Sequence, residues 1–194
     1  MPVIIAGKRK GAKLLVPEGD GVRPTLVRVR EALFSMLFSE MGTFEGCRIL
    51  DPFAGAGLLG LEAWSRGAAH VDFMEQSRAH FNILNKNIDS LKARSETTAC
   101  LGRSPQDWPR FSGRYDIVLC DPPYADNVMP DILRRLTEQN RLNPAALVSE
   151  EHSAGDSLEI PPGYILRKNK TYGKCRILLL QAAPIPETPS DSLP

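Results

Sequence analysis

The chain has 194 residues, a net charge of +1 at pH 7, 42% hydrophobic and 24% charged residues. That composition excludes a low-complexity chain, and no apolar run reaches the roughly 18 residues of a membrane span. Met1 to Lys13 turns basic after Ala6 and lacks the apolar stretch of a secretory signal. The four cysteines, Cys47, Cys100, Cys120 and Cys175, form no C-x-x-C pair, so reduced thiols in a cytoplasmic protein without metal are expected.

The charge is unevenly spread. Lys8, Arg9, Lys10, Lys13, Arg23, Arg28 and Arg30 crowd the first part of the chain, and Arg167, Lys168, Lys170, Lys174 and Arg176 form a second cluster. Such runs are more often solvated faces than a footprint for a polyanion.

In chain order, Val3–Ala6 and Lys13–Val16 flank a Gly-Lys-Arg-Lys-Gly turn and predict a small N-terminal β-hairpin or arm. A helix follows over Thr25–Ser39, with Leu26, Val29, Leu33, Met36 and Leu37 at helical spacing, Thr25 able to cap it and Arg28 off the apolar stripe. Strands and helices then alternate: strand 48–51, helix 58–66, strand 71–74, helix 77–92, strands 96–101 and 116–120, helix 129–139, strand 145–149. Two closing strands, near 164–166 and 176–180, are too close for a crossover helix and form an antiparallel hairpin. This pattern predicts a doubly wound, Rossmann-like α/β sheet whose ligand crevice lies beyond the strand C-termini. Three regions follow: a basic arm over 1–22, one α/β domain over 23–183, and a Pro/Ser-rich tail over 184–194 expected to be disordered.

Gly55-Ala56-Gly57-Leu58-Leu59-Gly60 joins the first strand to its helix, and Glu75 ends the second strand where a ribose-binding acid belongs. Nicotinamide dinucleotide and S-adenosylmethionine both carry an adenosine ribose, so the turn alone leaves the cofactor open. Asp51 at the mouth of the crevice would repel a pyrophosphate and attract a sulfonium cation.

Asp121-Pro122-Pro123-Tyr124 follows directly on strand 116–120. Two prolines hold the backbone extended and remove ladder donors, so their carbonyls are free to face the crevice. A base amino group is a poor nucleophile, its lone pair delocalised into the ring. The Asp121 carboxylate and Pro122 carbonyl are suited to hold its hydrogens, and Tyr124 to stack on the base.

Asp51 to Gly57 and Asp121 to Tyr124 resemble the cofactor and amino-methylation motifs of class I methyltransferases. Ile4-Ile5-Ala6-Gly7, Arg23-Pro24-Thr25 with Arg28-Val29-Arg30-Glu31-Ala32-Leu33-Phe34, and Lys170-Thr171-Tyr172-Gly173 are similar to stretches of the RsmD family of bacterial 16S rRNA guanine-N2 methyltransferases. The resemblance implies the seven-stranded methyltransferase sheet and methyl transfer from S-adenosylmethionine to one guanine of small-subunit rRNA. The substrate would be that rRNA or the assembling 30S subunit, met by a monomer in the cytoplasm. It implies cofactor contacts by Asp51, Phe53, Gly55, Gly57, Glu75, Gln76, Ser104 and Thr25, a target site at Asp121 to Tyr124, and RNA contacts by Lys8, Arg9, Lys10, Arg23 and Arg28. Whether Arg23, Thr25 and Arg28 meet cofactor or RNA stays open. The family's polar Asp or Asn then Ala after the third strand is absent here, leaving Ser104 as the stand-in. Adenine N6 in DNA, a protein glutamine, a dinucleotide-dependent oxidoreductase and a non-catalytic RNA-binding chain are the competing readings.

Overall fold

The computed structural model describes residues 1–17, 24–103, 107, 111–122, 128–154 and 160–183. After the N-terminal segment come α1 (Pro24–Met41), β1 (Arg48–Asp51), α2 (Leu58–Ser65), β2 (His70–Glu75) and α3 (Arg78–Leu91). A short 3-10 turn, Arg94–Glu96, leads into β3 (Thr97–Leu101), then β4 (Tyr115–Cys120), α4 (Met129–Glu138), β5 (Leu142–Ser153), β6 (Tyr164–Tyr172) and β7 (Cys175–Ala182). One seven-stranded sheet runs in the order β3-β2-β1-β4-β5-β7-β6. Neighbours among β1 to β5 pair in parallel, while β7 is antiparallel to both β5 and β6. The order reverses direction between β1 and β4, where a doubly wound sheet opens its crevice.

Strand alternation separates two apolar layers. On one face Ile49, Val71, Phe73, Ile117, Leu119 and Leu147 pack against Leu33 and Leu37 of α1, Leu61 and Trp64 of α2, and Leu84 and Ile88 of α3. On the other face Leu50, Met74, Val118, Cys120 and Val148 meet Ile132, Leu133 and Leu136 of α4. Runs such as Ile117-Val118-Leu119 are apolar throughout because both faces of these parallel strands are covered.

The small N-terminal hairpin is as expected, while the start of α1 and the length of β5 need correction. The N-terminal segment pairs with itself through one antiparallel bridge, Val3 to Lys13, and through amides of Ile4, Gly11 and Leu14 on the carbonyls of Ala12, Ile4 and Pro2 at 2.8–2.9 Å, and it also bonds to α2. Ile5 and Ala6 donate their amides to the fully buried Glu62 carboxylate at 2.7 and 3.0 Å, and Ile4 and Leu14 enter the core. The helix predicted to start at Thr25 starts at Pro24, so Thr25 lies in the first turn and not before it. Strand β5 is more than twice its predicted length, since pairing with β4 and β7 carries it through the polar Ser149-Glu150-Glu151-His152. The predicted tail over 184–194 lies outside the described residues.

Among the described residues no helix is long and apolar enough to cross a membrane, and no grouping of His, Cys, Asp and Glu could hold a metal ion.

Candidate active site

Four carboxylates end four adjacent parallel strands: Glu75 on β2, Asp51 on β1, Asp121 just past β4, and Glu151 near the end of β5. Alternation puts all four on the α2 face of the sheet, where Ile49, Phe73 and Leu119, two positions earlier, and Leu147, four before Glu151, also point.

Asp51 is 2% exposed and accepts the amide of Gly60 at 3.0 Å across the first turn of α2. Gly60 has no room for a side chain: a Cβ would lie 2.2 Å from the Phe73 ring, so only glycine lets the helix come this close. Burial, then the charges of Asp121 and Glu75, push the Asp51 carboxyl up to about 7. Glu75 holds the glycine turn from the other side, accepting the amide of Gly55 at 2.8 Å and that of Ser77 at 2.6 Å. Gly55 takes a positive φ of 52° with open space where a Cβ would sit, so a ligand can approach the backbone there. Gly57 caps α2 in the left-handed region, and its missing side chain faces Leu84 and Leu61, which ties it to packing. Phe53 is half-buried against the second apolar layer, and exposed Gln76 accepts from Arg103 Nε at 3.4 Å.

Asp121 reaches solvent, yet the protein around it pushes its carboxyl up to about 6. Pro122 behind it is buried. Pro123, Tyr124, Ser104 and Arg23 lie outside the described residues, and of Thr25 only the helical backbone is described.

Two acids absent from the sequence reading belong to this region. Asp107 Oδ2 accepts the Arg103 amide at 2.8 Å just past β3. Glu151 is 9% exposed, accepts from the Cys175 thiol at 3.3 Å, and is pushed up to about 7 by burial and by the Asp121 charge. Its signal was present: an acid closing an apolar strand, as at Asp51, Glu75 and Asp121.

The basic residues divide. The Gly7–Gly11 turn packs on the C-terminal end of α2, with the Lys8 amide on the Ser65 carbonyl at 2.7 Å, which is the far end of the sheet from the crevice. Lys8 Nζ is held by Glu96 at 2.8 Å and lies 4.2 Å over the Trp64 ring. Arg9 and Lys10 are exposed at that far end, and Arg28 is exposed on α1. By contrast, the β6–β7 turn sits at the crevice end, the Ala154 amide meeting the Lys174 carbonyl at 2.9 Å, with Lys170 and Lys174 exposed.

This strand order, with acids and a glycine turn at the switch point, is that of the Rossmann-like methyltransferases. A profile of the family described as "Conserved hypothetical protein 95" matches residues 3–181. Ribosomal RNA small subunit methyltransferase D of Haemophilus influenzae is 39% identical over 88% of each chain, and that of Escherichia coli is 33% identical over 97% of this chain and 93% of its own. The solved structure of the Escherichia coli protein yhhF superposes with a TM-score of 0.82 at 33% identity, covering 94% of this chain and 98% of that one. The chain belongs to the RsmD family of methyltransferases.

Proposed function

We propose that the chain transfers a methyl group from S-adenosylmethionine to the exocyclic N2 of a guanine in small-subunit rRNA, in the cytoplasm. The observation that carries this reading is the convergence of Asp51, Glu75 and Asp121 around the open backbone at Gly55. The names of the two relatives support rRNA as the substrate.

The donor set fits a cationic nucleoside. A carboxylate oxygen has two acceptor sites, so Glu75 keeps lone pairs for ribose hydroxyls beyond those used by the Gly55 and Ser77 amides. Mutual repulsion among Asp51, Glu75 and Asp121 is relieved by a positive ligand and aggravated by a pyrophosphate. When bound, S-adenosylmethionine supplies a methyl group activated by its sulfonium centre.

Asp121 does the rest of the chemistry at the acceptor. Its carboxylate accepts a hydrogen bond from the amino N–H, which turns the nitrogen lone pair toward the crevice, and takes up the proton that nitrogen sheds on methylation. A carboxyl near 6 suits that uptake, being ionised at neutral pH yet a better base than an ordinary aspartate. The Pro122 carbonyl and the Tyr124 ring are assigned the second hydrogen bond and the stacking contact. Catalysis is then positioning plus electrostatics.

The test is incubation with labelled S-adenosylmethionine and undermethylated small subunits, naked rRNA or DNA, followed by nucleoside digestion. Label in N2-methylguanosine from rRNA is expected. Label in methyladenine would keep the reaction type and overturn the acceptor. Cofactor binding with no label in nucleic acid would point to a protein amide.

A further inference from the structure

Cys120 pairs in register with Glu150 across β4 and β5, so Asp121, just past β4, comes out beside Glu151, which stays in the sheet through its pairing with Ile177 of β7. Adjacent strands lie roughly 4.8 Å apart, near enough for two flexible carboxylate side chains to converge on one base edge. The two side chains share a face, because Cys120 and Val118 point into the α4 layer while Leu119 and Leu147 point the other way. Glu150 belongs to the opposite face and is committed to His152, Oε1 to Nε2 at 2.7 Å. Glu151 points toward the Asp121 side, and its described partner is a weak donor, the Cys175 thiol.

The base edges differ in what they offer such a pair. Beside its amino group guanine carries a second donor, N1–H. Beside theirs, adenine and cytosine carry a bare ring nitrogen, an acceptor. Two neighbouring carboxylates therefore complement guanine and oppose the other two.

We propose that Glu151 is a specificity-determining residue: its carboxylate accepts the ring N1–H of the guanine whose amino group Asp121 holds. The proposal rests on the methyl-transfer reading above and goes beyond it by assigning the choice of base to a residue on β5. Burial strengthens the discrimination, since an acceptor at 9% exposure has little water to replace a missing donor.

The experiment uses an RNA fragment carrying the modified position, made once with guanosine there and once with 2-aminopurine, which keeps the 2-amino group but has no hydrogen on N1. Methyl transfer to each is measured as kcat/KM for the full chain and for Glu151→Gln, with the cofactor Kd measured on the same samples. The native chain should favour guanosine about 10–100-fold, the worth of one hydrogen bond to a charged acceptor. In Glu151→Gln the amide can donate to the bare N1, so that ratio should fall at least about fivefold. An unchanged cofactor Kd shows that the variant is folded. The native-chain comparison needs no variant: equal rates on the two RNAs overturn the role of Glu151. So does an unchanged ratio in Glu151→Gln. Absence of label in the guanosine RNA with the native chain overturns the parent reading, and this one with it.

Discussion

The Asn87 side chain of α3 joins the N-terminal segment to the glycine turn. Its Nδ2 donates to the Ala56 carbonyl at 2.9 Å, and the same amide closes a two-way pair with Leu15, Nδ2 to O at 2.9 Å and N to Oδ1 at 2.8 Å. Asn87 is 1% exposed, so three backbone groups depend on one side chain with no access to water. Asn87→Ala leaves the buried Ala56 carbonyl unsatisfied and frees the more exposed Leu15 groups, and should cost about 1–3 kcal/mol in urea unfolding. Because Ala56 lies between the two turn glycines, cofactor affinity should fall too. Lost stability with an unchanged cofactor Kd would confine Asn87 to the fold.

Asp51 makes stability depend on pH in an unusual direction. Its folded carboxyl stands at about 7, and those of Asp121 and Glu151 at about 6 and 7, all above the value of an unfolded chain. The native state then binds more protons than the unfolded state between about pH 4 and 7, so stability falls as pH rises through that window. Ligand-free Tm should drop between pH 5 and 8, and Asp51→Asn should flatten the slope while weakening cofactor binding at least tenfold, about 1.4 kcal/mol. A Tm that rises over that range in the native chain would contradict the acid cluster.

Asp121 is the residue expected to separate chemistry from cofactor binding. Asp121→Ala should lower kcat by about 10²–10³-fold, the usual cost of one well-placed polar group, with the cofactor Kd within a few-fold of native. The ionised form is the acceptor, so the rate should fall tenfold per unit as pH drops below about 6. An acid limb that survives in Asp121→Asn belongs to another group.

What the sequence made legible was what repeats along the chain. Apolar strands ended by Asp51, Glu75 and Asp121 announce both the sheet and its crevice, because a buried parallel strand and a carboxylate at its end each leave a local mark. The arm's hairpin was legible, but its attachment to α2 was not. Val3–Ala6 has strand composition, but the Ile5 and Ala6 amides go to the Glu62 carboxylate and the Ala6 carbonyl accepts from the Ser65 hydroxyl, 56 to 59 residues on, and no local pattern records them. The extension of β5 through Glu150 and Glu151 was hidden likewise. Polar residues at that point read as a loop, until neighbours β4 and β7 supply the ladder.

The same long-range effect redistributes the basic residues, and it separates two predictions about RNA. Lys8 is held by Glu96 and covers the Trp64 ring, so its ammonium serves the fold. Replacing Lys8 by Met should cost at most about 1 kcal/mol, as the pair is partly exposed, and should leave RNA affinity nearly unchanged. Lys170 and Lys174 stand at the crevice end, on a turn joined to β5 through the Ala154 amide. On the proposed function, a nucleotide entering beside Asp121 would bring its flanking phosphates past that turn. Each lysine that neutralises a phosphate releases counterions, so Lys170→Ala with Lys174→Ala should weaken RNA binding and reduce the slope of log K against log salt by about one per side chain. The check is a salt titration of RNA binding for this pair beside Arg9→Ala with Lys10→Ala at the far end of the sheet. A larger loss of slope in the Arg9 and Lys10 variant would mean that the RNA wraps the molecule from below, and that the hairpin tip is only a solvated edge.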